Sequence, residues 1–338
     1  MIRPFDIREL GVVQRLCASG RVLAFELAAV EGFSPLRELA RAYMSPPHEL
    51  SSALVWTPDD GHGTPAAVSL MRVFHAPVTG EHRPRVAVIG LIAPAADSHE
   101  RVEAWAELAA GQCQVAGDCG AGHTLAEVAE DSGEADALRL AGFVPWVHQD
   151  IVKVAGHLRA PVGESPLLRE ASGDADELTI RLLTQRLTPK PLQRADVGLD
   201  VNRLAHRPTT TWLATEAGEA QGWVACYVGR RATALRMLFR PDHEALAQAA
   251  LSHALARLRP RLQRPLYAII PGFASWQLPL FDGHGFGHVT SHALMLRSNV
   301  ASARQPVWSA ALNRARTVAS RNLLIQGCNP ESDTPHVQ

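Results

Sequence analysis

Leu138-Arg139-Leu140-Ala141-Gly142-Phe143-Val144-Pro145-Trp146, continued by Val147-His148-Gln149-Asp150-Ile151-Val152-Lys153-Val154, runs from a short helix through a Gly-Phe step into an alternating strand. The segment from Pro279 to Arg297 repeats it, with Gly285-Phe286 before His288-Val289-Thr290-Ser291-His292-Ala293-Leu294-Met295-Leu296. The upstream starts correspond as well, since Ile2-Arg3-Pro4-Phe5 with Glu9-Leu10 matches Leu168-Arg169-Glu170-Ala171 with Glu177-Leu178. Two starts and two ends at similar separation imply one unit written twice. The division that follows is 1–157 for the first copy, 158–166 for a Pro- and Gly-containing linker, 167–298 for the second copy and 299–338 for a terminal segment.

Length agrees with that division, because 338 residues exceed what one core usually organises. Apolar residues make up 46% and charged residues 20%, the balance of a soluble globular chain, and no apolar run approaches the ~20 residues of a membrane span. No apolar signal region opens the chain, so a cytoplasmic location is expected and no membrane partner. A net charge of -1 gives no global attraction to nucleic acid. Cys17, Cys113, Cys119, Cys226 and Cys328 lack metal-ligand spacing and are odd in number, which predicts free thiols, no disulfide framework and no metal site. Lys153 and Lys190 are the only lysines, an arginine skew that fits GC-rich bacterial coding.

Along the first copy, the pattern predicts a strand at Ile2 to Phe5, a helix capped by Asp6, and further helix over Arg21 to Val30 and Leu36 to Tyr43. Strands at Ser52 to Trp56, Ala66 to Phe74 and Val86 to Ile92 form an antiparallel meander. A helix from Ser98 to Ala110, a strand at Thr124 to Glu130, a short helix at Glu134 to Leu140 and the closing strand complete it. Strand, crossover helix and strand imply one parallel pair in a mixed α/β sheet. The second copy predicts the same order, with a strand at Leu167 to Glu170, helix over Asp174 to Leu187 and onward through Asn202, and strands at Thr211 to Glu216, Gln221 to Gly229 and Thr233 to Phe239. A helix from His243 to Leu258, a strand at Leu266 to Ile270 and a short helix at Trp276 to Asp282 precede its closing strand. Gln305 to Ile325 reads as an amphipathic helix, and Gln326 to Gln338 as a disordered tail.

This order, with Arg3-Pro4-Phe5 at the opening and Arg139-Leu140-Ala141-Gly142-Phe143-Val144 near the close, resembles the GNAT acyltransferase superfamily, and its duplication resembles a tandem GNAT protein. The resemblance implies two tandem acyltransferase-like domains and binding of acetyl-coenzyme A where the fourth and fifth strands splay. The pantetheine arm would lie on the fourth strand and the pyrophosphate on amides at the start of the next helix. In the second copy that assigns Leu238, Phe239, Arg240, His243 and Ala245 to the coenzyme. The family's loop carries glycines that let backbone approach phosphate. Here Pro94-Ala95-Ala96-Asp97-Ser98-His99-Glu100-Arg101 and Arg240-Pro241-Asp242-His243-Glu244-Ala245-Leu246 carry none, and each places carboxylates where phosphates would arrive. Acidic residues there also suit helix capping, so two readings of these loops stand side by side.

The family's fourth-strand Glu and short-helix Tyr, which move the protons of acyl transfer, have no counterparts. Val86 to Ile92 has no ionisable residue, Leu235 to Phe239 offers only Arg236, and neither short helix holds a tyrosine. Tyr227 and His292 are the catalytic candidates that remain; a core tyrosine and a hydrogen-bonded strand histidine are their plainer roles. Three functions follow: N-acetyl transfer from acetyl-coenzyme A to a small-molecule or protein amine, a non-catalytic module binding a protein or small ligand in the former cleft, or nucleic-acid contact through Arg297, Arg304, Arg314, Arg316 and Arg321. A solvated helix is the simpler account of that last arginine set.

Overall fold

Asp6 begins the first helical segment as its residue type predicts: its Oδ1 accepts the Arg8 N–H at 2.9 Å, and Glu9 reaches back to the Asp6 N–H at 3.3 Å. The computed structural model describes residues 1–44, 51–58, 63–75, 85–154, 158, 163, 165–193, 208–258 and 264–299. The first pass comprises β1 (Ile2–Pro4), α1 (Leu10–Ala18), β2 (Arg21–Val22), α2 (Pro35–Met44), β3 (Ser51–Trp56), β4 (Ala67–His75) and β5 (Arg85–Ala93). It ends with α3 (His99–Asp118), β6 (Ala121–Ala129), α4 (Gly133–Leu140) and β7 (Val144–Val154). The second comprises β8 (Leu168–Glu170), α5 (Gly173–Leu187), α6 (Lys190–Gln193), β9 (Thr210–Glu216), β10 (Glu219–Val228) and β11 (Thr233–Phe239). It ends with α7 (Glu244–Leu258), β12 (Leu266–Pro271), α8 (Leu278–Gly283) and β13 (Phe286–Ser298).

The repeated Gly-Phe step has a conformational cause. Gly142 and Gly285 sit at φ 82° and 91°, just past the ends of α4 and α8, where a side chain would be strained. After α4, Phe143 N–H reaches back to the Leu138 carbonyl at 3.0 Å and Gly142 N–H to Arg139 at 2.9 Å. Leu138 and Phe143 meet in one core, and after α8 the rings of Phe281 and Phe286 meet edge to face at 5.1 Å. Each step thus stops a helix and turns the chain into the closing strand.

Those closing strands are exchanged. The sheet order is β1-β3-β4-β5-β6-β13-β7-β12-β11-β10-β9-β8, with β2 beside β5. β13, from the second pass, runs antiparallel to β6 of the first, from His292 opposite Ala129 to Ser298 opposite His123. β7, from the first pass, pairs with β12 of the second, from Lys153 opposite Tyr267 to Gln149 opposite Pro271. The two closing strands pair with each other at the middle, Phe286 opposite Val154 through Leu296 opposite Val144. Residues 1–299 form one compact unit as a result. Each pass contributes one parallel pair, β5 with β6 and β11 with β12, to an otherwise antiparallel sheet.

Helices cover both faces. Trp105 and Leu108 of α3 share a core with Leu138 of α4 and Met295 of β13, while Leu251 of α7 and Phe281 of α8 share another with Val152 and Phe286. On the opposite face, Val13 and Leu39 pack beneath α1 and α2, and Ile180 and Leu183 beneath α5.

One sequence expectation is corrected here. Arg21 to Val30 is not a single helix: Arg21–Val22 pairs with Ile92 and Leu91, and Leu27–Glu31 is a π-helical turn. Tertiary pairing outweighs local helical periodicity at this point. α3 also runs on to Asp118, eight residues beyond the expected Ala110. The expected continuation through Asn202 and the expected helix at Gln305 to Ile325 lie outside the described residues.

Both openings of the repeat carry an arginine on the strand and a carboxylate at the helix start. Arg3 pairs with Glu9, and Arg169 donates to both oxygens of Asp176 at 2.6 Å, so the second carboxylate is Asp176 and not its neighbour Glu177. Hydrogen bonds from Arg169, then from the Ser172 N–H, hold the Asp176 carboxyl down at about 2. A carboxyl depressed in the folded state stabilises fully above its unfolded value of 3.8, and that contribution fades as pH falls toward 2. Asp176→Asn is expected to flatten the fall of melting temperature across this window; an unchanged acid profile would count against the pairing.

Candidate functional site

A parallel pair that stops pairing leaves a fork in the sheet, and this chain has two. β5 and β6 last pair at Val88 opposite Leu125, and β11 and β12 at Leu235 opposite Ala268. Beyond those points the strand edges turn toward a gap.

In the first fork the gap is filled by the chain itself. β2 pairs with β5, Arg21 opposite Ile92 and Val22 opposite Leu91, and Leu23 then donates its N–H to the Gly90 carbonyl at 3.0 Å. From the other side the Glu127 N–H reaches the Leu23 carbonyl at 2.9 Å, so this segment bridges both arms. The Leu23 side chain is 2% exposed and joins Trp105 and Leu108 in the core beneath α3. The loop before α3 is used internally too: Ala95 N–H bonds Ser19 O at 2.9 Å, Asp97 N–H bonds Ala95 O at 3.0 Å, and Asp97 pairs with Arg101.

The second fork differs. Among the described residues no strand pairs with Arg236 to Phe239 on the β12 side, and a small solvent-facing cleft lies there. Thr184, Trp223, Arg236, Leu238, Ile269 and Phe273 are among its walls, and among the described residues lining it Arg236 alone is charged. Trp223 is fixed by its Nε1–H to Thr184 Oγ1 at 2.9 Å.

The first pass closes this cleft's neighbourhood. Arg236 Nε donates to Glu26 Oε1 at 2.5 Å, with side chains only 8% and 4% exposed. Val30 accepts from the Arg231 N–H at 2.9 Å and lies in the core of α5 with Trp223 and Tyr227. Gly229 is required at that contact, because a Cβ would overlap the Val30 carbonyl. The stretch that plugs the first fork therefore continues directly into a wall of the second.

Between the forks lies a buried carboxylate that sequence reasoning did not single out. Glu127 is 5% exposed; its Oε1 accepts from Gln149 Nε2 at 2.7 Å and meets His292 Nδ1 at 2.9 Å, and its Oε2 accepts the Phe25 N–H at 2.7 Å. A lone acid inside the apolar alternation Leu125-Ala126-Glu127-Val128 is the signal that marks it.

The expected residues fall as follows. His292 is occupied by Glu127 and stacks edge-on to Phe25 at 5.9 Å. Tyr227 is 3% exposed in the α5 core, and Cys226, on the opposite face, in the α7 core. Leu238 lines the second cleft, whereas Phe239 lies in the core under α7. Arg240 pairs with Asp242 at 2.9 Å and His243 with Glu216 at 2.8 Å, while Ala245 is exposed in the first turn of α7. The hydrogen bond from Arg240 holds the Asp242 carboxyl below its ordinary range. His148 pairs with Glu130, and buried His284 bonds Ser252 and the Leu280 carbonyl. Among the described residues Cys17, Cys113, Cys119 and Cys226 form no disulfide, and burial raises the Cys17 thiol to about 11. Of the basic set, Arg297 donates to the Ala141 carbonyl at 2.5 Å, and the others lie outside the described residues. Among the described residues no group of three or more His, Cys, Asp or Glu is arranged to hold a metal, and no helix is long and apolar enough to cross a membrane.

No family model matches the sequence, and no curated protein is similar to it. Solved structures are. A GCN5-related N-acetyltransferase from Sphaerobacter thermophilus covers 88% of this chain and 95% of its own length at 13% identity, with a TM-score of 0.52. The GCN5-related glucosamine N-acetyltransferase region of a fungal multi-domain GH3 β-N-acetylglucosaminidase covers 88% of this chain and 38% of its own at 10% identity, with a TM-score of 0.51. A tandem GNAT protein from the clavulanic acid biosynthesis pathway aligns over 89% of this chain and 99% of its own at 13% identity, with a TM-score of 0.48. The chain has the GNAT acetyltransferase fold.

Proposed function

We propose that this chain binds an acyl-coenzyme A through its second fork and transfers the acyl group to an amine, the first fork having become structural. The observation that carries this reading is the contrast between equivalent strand edges. That of β5 is taken by Arg21 to Leu23, while that of β11 from Arg236 onward borders an open cleft.

The donor atoms fit an acyl-pantetheine arm only at the second fork. There the edge of β11 supplies backbone groups for an amide-bearing chain, and the apolar walls Trp223, Leu238, Ile269 and Phe273 exclude water. Arg240 stands at the head of the short 3-10 turn leading into α7; Pro241 has no N–H and the His243 N–H is bonded to the Arg240 carbonyl at 3.0 Å, so the Arg240 guanidinium, and not the amides of the turn, would meet a phosphate. Asp242 tempers that preference by holding Arg240. At the first fork, Leu23 and the bonded Ala95 and Asp97 amides occupy the equivalent positions, and the coenzyme does not fit.

When bound, a thioester supplies an acyl carbon open to an amine lone pair, with the thiolate leaving as the carbon–sulfur bond breaks. Among the described residues lining the second cleft none is a carboxylate or histidine, so the proton of the amine would leave to solvent or to a group on the substrate. That same observation favours a second reading, binding without transfer. Product formation from acetyl-coenzyme A and an amine separates the two.

Acetyl-coenzyme A at a hundredfold over its dissociation constant is expected to add about 2.7 kcal/mol of stability, read as a rise in melting temperature. Thr184→Trp, which fills the second cleft, should abolish the rise; Leu23→Ala, in the first fork, should leave it in place. No rise with the unaltered protein at millimolar ligand would overturn the proposal.

A further inference from the structure

Glu127 is 5% exposed at the middle of the sheet, and its partners are the Gln149 amide, the Phe25 N–H and the His292 ring. Neither a lysine nor an arginine is among them. With Oε1 facing Nδ1 at 2.9 Å, the ring gives its Nδ1–H to the carboxylate and keeps its Nε2 lone pair. Among the described residues nothing bonds Nε2, and 18% of the His292 side chain is open to solvent. A carboxylate held by neutral donors retains an uncompensated negative charge, and a buried charge calls for a counter-ion.

Next to this pair the sheet face is apolar. Leu125 lies two residues before Glu127 on β6, on the same face, and Leu294 of β13 stands opposite Glu127. Leu125 and Val86 cluster with half-buried Phe74, Val88, Trp146, Leu294 and Leu296, and among the described residues no helix contributes to that cluster. The helices α1 and α2 pack farther along the same strands, over Val68, Leu70 and Leu91. From His292 to Leu296 this floor runs roughly 13 Å along β13. The cations on this face are engaged elsewhere: Arg72, next before Phe74 on its side of β4, is held by Glu38, and Lys153 lies over the Tyr267 ring at 5.6 Å.

We propose that this face of the first half binds an organic cation whose N–H head group donates to His292 Nε2 and whose apolar body lies on Leu294, Leu296, Val88 and Phe74. Glu127 is the positioning residue: it fixes the ring through Nδ1 and supplies the opposite charge. An anion on the same body would meet that charge as repulsion, and a neutral head group would gain only the hydrogen bond. The adjoining fork is closed by Leu23, so a cation held here is bound and not acylated. The site is separate from the coenzyme reading of the second fork and does not rest on it.

The probes that test this share one body and differ in charge: 4-phenylbutylamine, 4-phenylbutanol and 4-phenylbutyrate, titrated calorimetrically into the whole protein. The amine is expected to bind at least about tenfold more tightly than the alcohol, with the carboxylate weakest. Saturation with the amine should shift the ring 15N resonances of His292. Glu127→Gln removes the charge and keeps an acceptor for the ring, and should bring amine and alcohol within about threefold of each other. Lost packing would weaken both probes alike and leave their ratio in place. Equal affinity for the three probes in the unaltered protein, or no binding of the amine at millimolar concentration, overturns the proposal without any variant having to fold. A stationary His292 resonance on saturation, or an undiminished amine preference in Glu127→Gln, overturns it as well. Binding of acetyl-coenzyme A, present or absent, moves none of these outcomes.

Discussion

Trp105→Ala is expected to lower the free energy of unfolding by about 3–5 kcal/mol, a large part of the ~5–15 kcal/mol typical of a folded chain. Trp105 is fully buried in α3, its ring packs in the core that includes Leu23 and Leu108, and its Nε1 donates to the Pro94 carbonyl at 2.6 Å. The substitution combines a cavity with a half-buried carbonyl left without this donor, and the two costs add. Trp105→Phe keeps most of the packing and isolates the hydrogen bond, for which about 1–3 kcal/mol is expected. Urea denaturation measures both. A loss below about 1 kcal/mol for the alanine variant would mean that α3 is not anchored to the loop ahead of it as described.

Glu26→Leu should cost a similar amount, about 3–5 kcal/mol, because it leaves the buried Arg236 guanidinium without the carboxylate that faces it. Arg236→Met should cost the same for the mirror reason. Replacing both at once is expected to be nearly neutral, since apolar side chains of similar volume avoid the desolvation that the pair pays. The four proteins form a double-mutant cycle, and simple additivity of the two single losses would rule out direct coupling across the halves. The expected non-additivity is the energetic counterpart of a contact spanning 210 positions of sequence.

Much of the architecture was legible because it is written in short-range patterns. The alternation from Val144 to Val154 and from Thr233 to Phe239 predicts those strands to the residue, and Gly142 and Gly285 mark helix ends that only glycine accommodates easily. The pairing of the closing strands was not legible, since the same alternation serves whichever edge a strand joins. Arg21-Val22-Leu23-Ala24-Phe25-Glu26 reads as helix by spacing, and only the free edge of β5 makes it a strand and a plug. Glu26 was hidden by that misreading. Arg236 was visible as the single charge of its strand, but its partner was not, and Asp176 took the place that the repeat assigned to Glu177.

The exchanged strands also set an order of events during synthesis. Among the described residues β13 is the last sheet strand to be synthesised, yet it lies in the middle of the sheet, with β6 on one flank and β7 on the other. Its contact with β6 joins residues 123–129 to 292–298, a separation that makes closure slow relative to local hairpins. Until it arrives, a nascent chain holds two bare edges where the finished sheet has its middle, so premature termination ahead of Phe286 removes a keystone and not a trimming, and leaves those edges open to aggregation.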